Sequence, residues 1–143
     1  MDDDTYTILG CITKYKADDI RPYVESIEQT GFKGRKVMLV YDVPQETIDY
    51  LKSKGWDLFG GELQQHIILQ RFRDLYKLLG SEIKGTVIWT DVKDVIFQKD
   101  PTDWIEHNME DDILSFSECI TFKNDPWACV NAGTSFPMEW EWL

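Results

Sequence analysis

Two aspartates interrupt an apolar run in "TVIWTDVKDVIFQKDP", residues 86–101. Charge inside a buried strand is costly unless each carboxylate is paired or holds a cation. Asp91 and Asp94 therefore read as groups leaving the end of a strand, with Lys93 between them. Hard divalent ions such as manganese or magnesium prefer oxygen ligands of this kind. A diphosphate brought near two carboxylates is repelled unless such an ion bridges them. The plainer alternative is a solvated turn in which Lys93 only neutralises its neighbours. Spacing alone does not separate the two.

Arg71 sits upstream on a segment with helical periodicity. Ile68, Phe72, Leu75 and Leu79 form the predicted apolar stripe, Arg71 falls at its margin and Arg73 faces solvent. A guanidinium there suits bidentate phosphate recognition; an ion pair with Asp74 or another helix carboxylate is the competing use. Thr13 and Tyr15 follow the first predicted strand, and Tyr15 offers a face on which a base can stack. Asp42 ends the second strand and can accept hydrogen bonds from a ribose or a base edge. Glu118, at the end of "SFSE", is a candidate general base for an acceptor hydroxyl. Each also has an ordinary use as a surface or rim residue. The six tryptophans suit either a sugar-stacking platform or the core.

Strand-like and helix-like segments alternate along the chain, and these must position the candidates. "YTILGCI", "KVMLVYD" and "TVIWTD" read as buried strands, "DLFGGEL" as a short one, and "DILSFSE" (112–118) as a fifth. Between them lie a helix over "KADDIRPYVESIEQTGF", capped by Asp18 or Asp19 and ended at Gly31, and a helix with Pro44 in its first turn and Gly55 at its end. A third helix, over "QQHIILQRFRDLYKLLGSEI", ends near Gly80. This order predicts an α/β domain with a mainly parallel central sheet and helices on both faces. Ligands in such sheets sit beyond the carboxyl ends of the strands. That places Thr13–Tyr15, Tyr41–Asp42, Asp91–Asp94 and Glu118 on one rim.

Length and composition narrow the classes. The 143 residues suit one domain with a real core. The apolar, Trp-rich end "NAGTSFPMEWEWL" reads as the interior of a domain, which predicts a domain cut short on its C-terminal side. No apolar run approaches the ~20 residues of a membrane span. The acidic start lacks the basic region of a secretory signal. Cys11, Cys119 and Cys129 are widely spaced, with no CxxC pair, so a reducing, intracellular and cytoplasmic setting is expected. The formal charge of -11 argues against a nucleic-acid polymer as partner. A small phosphorylated ligand needs a local basic group, a helix N-terminus or a bound cation. GxGxxG, Walker A, HExxH and GxSxG patterns are all missing, and His66 and His107 are too isolated for a zinc site.

"VIWTDVKDVIFQKDP", with "QRFRDLYKLL" before it, resembles the metal-binding strand and preceding helix of GT-A glycosyltransferases. Within that family the look is toward the chlorovirus glycosyltransferases associated with decorating the major capsid protein. The likeness runs from "ILGCITKY" to "NAGTSFP" and is specific around Thr90–Pro101. It implies a GT-A-like, Rossmann-like domain and manganese or magnesium held by Asp91 and Asp94 against the diphosphate of a nucleotide sugar. It further implies a UDP-hexose donor, a glycan or glycoprotein acceptor, and a host-cytoplasmic setting if the protein is viral. Thr13, Tyr15, Asp42, Arg71 and Asp91 would then face the donor, and Glu118 would serve as base in an inverting enzyme. One departure stands out: the family pattern is D-x-D, whereas this chain has D-x-x-D. Asp94 best matches the metal-binding aspartate.

Two rivals belong to other classes. A nucleotide-sugar-binding module would hold the donor without turnover. A haloacid-dehalogenase-type phosphatase also places aspartates after an apolar strand, but near the N-terminus and not after three other strands.

Overall fold

A computed structural model describes residues 6–110. Its layering follows from one strand, β1 (Tyr6–Thr13). Side chains alternate along a strand, so Ile8 and Ile12 turn to one face and Leu9 to the other; all three are buried. A strand buried on both faces needs a layer on each side. Ile8 and Ile12 pack with Ile20, Tyr23, Val24 and Ile27 of α1 (Ala17–Thr30) and Leu51 of α2 (Gln45–Ser53). Leu9 packs with Val37, Leu39 and Tyr41 of β2 (Arg35–Tyr41) and with Leu78 of α3 (Ile67–Ser81).

β3 (Asp57–Gly61), β4 (Thr86–Trp89) and α4 (Thr102–Asn108) complete the described elements. The four strands lie in the order β3-β2-β1-β4, and every ladder is parallel. The fold is therefore α/β and Rossmann-like, with helices on both faces of the sheet. Because β4 joins on the far side of β1 from β2, the strand order reverses between β1 and β4. The chain divides into two units, Met1–Thr102 and Asp103–Leu143. The sheet and α1 to α3 belong to the first. Of the second, the structure describes the rest of α4 and the residues up to 110. The predicted fifth strand, with Glu118, and the Trp-rich end lie outside the described residues. Among the described residues no helix is long and apolar enough to cross a membrane.

Three local expectations need correction. Neither Asp18 nor Asp19 caps α1. Lys16 holds the cap position, and the Asp19 carboxylate reaches back to accept from the Lys16 backbone N–H at 2.9 Å. Gly31 does end that helix, in the left-handed region at φ 74°. Helix α3 starts at Ile67, not Gln64, with the His66 ring nitrogen accepting from the Ile68 N–H. Gln70 holds the preceding turn off the helix by accepting from the Gln64 N–H (2.7 Å) and donating to the Glu62 carbonyl (3.1 Å). Most consequentially, the predicted stripe faces the sheet only in part: Leu75 packs against the Leu9 cluster, whereas Ile68, Phe72 and Leu79 are 50%, 53% and 45% exposed. The inward side carries Ile67, Gln70, Arg71, Asp74, Leu75 and Leu78.

Candidate functional site

The two aspartates lie where β4 ends. Trp89 is its last residue, and the Thr90 N–H still donates to the Leu9 carbonyl at 3.2 Å. The Thr90 hydroxyl meets the Tyr23 phenol at 2.8 Å; burial pushes that phenol up to about 12, so it stays neutral. Val92 then turns inward and is only 2% exposed. It packs over Gly10, where a Cβ would come within 2.6 Å of its Cγ2. Beyond Asp94 the chain is tied down again. The Phe97 N–H donates to the Ser26 hydroxyl at 3.0 Å, and its ring meets Tyr23 edge-on at 5.8 Å.

This turn accounts for the spacing of the two aspartates. Residues 92–94 form a turn, not a continued strand. With Val92 as the inward knob, Asp91 and Asp94 both stay exposed and both line one cleft. Its volume is about 630 Å³, within the range of small-molecule sites. The cleft also takes in Thr13, Tyr15 and Arg71. Cys11 and Lys93, which the sequence did not single out as site residues, line it too. Asp42 follows directly after β2, one strand further from the reversal, and is not among the lining residues; Glu118 lies outside the described residues.

Arg71 reaches the cleft from α3. Its Nη1 lies 3.4 Å from Asp91 Oδ1, and its guanidinium sits 5.3 Å from the Phe72 ring and 5.9 Å from the Trp89 ring. Those rings stack on each other, 5.5 Å apart and 2° from parallel. The anticipated Arg71–Asp74 pair does not form. Asp74 instead accepts from the Tyr41 hydroxyl at 2.5 Å and pairs with Lys77 at 3.5 Å. Burial first, and then the Asp74 carboxylate, push the Tyr41 phenol well above its ordinary range. Lys93 places its ammonium 5.5 Å from the centre of the Tyr15 ring.

Two further features mark the rim. Lys14 and Asp42, at the ends of neighbouring strands, have φ of 57° and 50°, a region non-glycine residues seldom adopt. Backbone held this way costs of order 1–3 kcal/mol and clusters at functional sites. Among the described residues, buried side-chain atoms without a hydrogen-bond partner include Thr13 Oγ1 and Arg71 Nε, and both residues line the cleft. Unsatisfied buried groups are rare in folded proteins and are met by a ligand, an ion or water.

The donor set can be judged against a metal. No group of three or more His, Cys, Asp or Glu able to hold an ion occurs among the described residues. Asp91 and Asp94 alone would leave most of a coordination sphere open. That suits magnesium or manganese, which bind through one or two carboxylates and complete their shell with water and substrate phosphates. Cys11 offers no thiolate: burial pushes its thiol up to about 11 against the pull of Arg71, with Asp74 and Asp91 adding to the rise. A neutral thiol is a poor nucleophile.

No family model and no curated protein matches the chain. The protein is placed by its architecture alone, as a Rossmann-like α/β protein with a cleft at the reversal of strand order.

Proposed function

We propose that the protein is a metal-dependent glycosyltransferase of the GT-A type, transferring a hexose from a nucleotide sugar, a UDP-sugar, to a glycan or glycoprotein acceptor. The likeness of Thr90–Pro101 to that family suggests a viral capsid protein as one such acceptor. The observation that carries the proposal is the position of the cleft. It lies beyond the carboxyl ends of β1 and β4, where the strand order reverses, which is where open α/β sheets bind their ligands.

Each residue then has a task set by its chemistry. Asp91 and Asp94 would hold the manganese or magnesium ion, which when bound offsets the charge of the departing nucleoside diphosphate. Arg71, whose Nη1 already reaches Asp91 in the cleft, would meet the phosphates with its guanidinium. Tyr15 would offer its ring to the base, and Thr13 its unsatisfied hydroxyl. Asp42, outside the cleft lining, would reach only an outlying part of the donor. Glu118 would take the proton of the acceptor hydroxyl if the enzyme inverts.

Calorimetric titration of UDP-glucose with and without manganese tests this. Binding is expected to be about tenfold tighter with manganese, a gain of ~1.4 kcal/mol. Asp94→Ala should abolish that gain without unfolding the protein, since Asp94 is exposed. Equal affinity with and without the ion would remove the metal from the proposal. Release of UDP on incubation with donor would separate an enzyme from a binding module.

A further inference from the structure

The cleft already contains a cation bound to one of its carboxylates, and this bears on how it would take another. Asp91 is 72% exposed and Arg71 27%. Arg71 is the fixed partner of the two. It rises from a helix, lies beside the Phe72 and Trp89 rings, and carries a buried Nε–H with no acceptor. The contact to Asp91 is a single one, at 3.4 Å, close to the limit of a useful hydrogen bond. Lys93 is equally charged and sits between the aspartates in sequence, but its ammonium is turned onto the Tyr15 ring.

We propose that Arg71 is a resident counter-ion of Asp91, competing with a divalent cation and yielding the carboxylate when the cation binds. This rests on the metal site proposed above and adds its regulation. The aspartate pair would otherwise be two like charges in one cleft of an acidic protein. Arg71 neutralises Asp91 while the site waits. Once Asp91 gives up the contact, Nη1–H becomes a donor open to an anionic oxygen. The cleft thereby becomes more attractive to a diphosphate after it has taken a cation. By linkage, an anionic ligand that engages Arg71 must favour cation binding in return.

The test uses manganese alone, with no nucleotide, read by water-proton relaxation on the whole chain. Arg71→Met, with Arg71→Gln as a second variant that keeps a polar side chain, should bind manganese about three-fold tighter than the unaltered protein, the scale of a partly exposed ion pair. Lys93→Met also removes one positive charge from the cleft but breaks no contact to Asp91, so its gain should be clearly smaller. If the Arg71 variants gain nothing, or Lys93→Met gains as much, the exchange is overturned and the metal site stands. If no form of the protein binds manganese, the metal site itself fails and the exchange falls with it.

Discussion

Helices α1 and α3 are close in length, at 14 and 15 residues, yet they turn different chemistry toward the sheet. α1 buries Ile20, Tyr23, Val24 and Ile27 and leaves its charges outside, where Arg21 pairs with Asp18 at 3.0 Å. α3 keeps Ile68, Phe72 and Leu79 half exposed and turns Gln70, Arg71 and Asp74 inward. Each inward polar group of α3 has a partner waiting: the turn before the helix for Gln70, Asp91 for Arg71, Tyr41 for Asp74. One face of the sheet is thus closed by apolar packing, and the other by an apolar cluster with polar contacts added to it. The cleft, with Arg71 at its wall, draws on the second kind. A dry, dense layer suits stability, whereas a layer with charge and unsatisfied donors suits a ligand.

The sharpest way to break this contrast is a matched pair of truncations. Ile27→Ala, in the α1 layer, should cost about 2–5 kcal/mol, the transfer term plus the cavity left behind. Ile68→Ala, on the outer side of α3, should change stability by no more than about 0.5 kcal/mol. Urea unfolding of the two variants beside the parent decides it. Comparable losses would mean that the outer face of α3 is covered in solution and that the two helices are not different in kind.

A smaller effect is expected from Gly10→Ala, which probes how tight the α1 layer is beneath the aspartate turn. The added methyl meets Val92 Cγ2 at 2.6 Å and Met38 Sδ at 3.1 Å. The methionine can yield, but Val92 is β-branched and stiff. Overpacking of this sort costs about 1–3 kcal/mol. Because Val92 lies between Asp91 and Asp94, the strain should also weaken the proposed manganese binding in protein that remains folded. Adding Val92→Ala should restore part of the stability, and failure to do so would place the strain elsewhere.

How much of this was legible in the sequence depends on where each signal lies. The strands were, because burial on both faces leaves near-continuous apolar runs such as "TILGCI" and "KVMLV". The inward face of α1 was, because one side of it alone is apolar. The face of α3 was not. Ile67, Leu75 and Leu78 form one apolar row, while Ile68, Phe72 and Leu79 form another. What selects between them are Tyr41 and Asp91, at sequence separations of 33 and 20 from their partners, and periodicity carries no such information. The aspartates could be placed at a strand end, but not the reason for their spacing, which lies in a glycine on another strand. Asp42 was rightly set at the carboxyl end of β2; its exclusion from the cleft lining follows from strand order, which the sequence does not state.

The smallest expected effect concerns the polar closure itself. Tyr41→Phe removes the hydroxyl that Asp74 accepts from and leaves the ring packing in place. A hydrogen bond to a charged acceptor is worth about 1–2 kcal/mol, and Lys77 still neighbours Asp74, so the loss at neutral pH should fall near the lower figure. Its pH dependence has a defined sign. The folded phenol is held above its ordinary value of 10.0 by burial first and Asp74 second. The hydroxyl's contribution is therefore fully present below pH ~10 and lost as the pH climbs toward the folded value, since the unfolded chain ionises first. The phenylalanine variant has no such group to ionise. Its deficit against the parent, followed by urea unfolding from pH 7 upward, should narrow above pH ~10. A deficit that is constant or widens there would mean that Tyr41 is not held neutral by its surroundings. The inward polar face of α3 would then be an ordinary solvated surface and not a built layer.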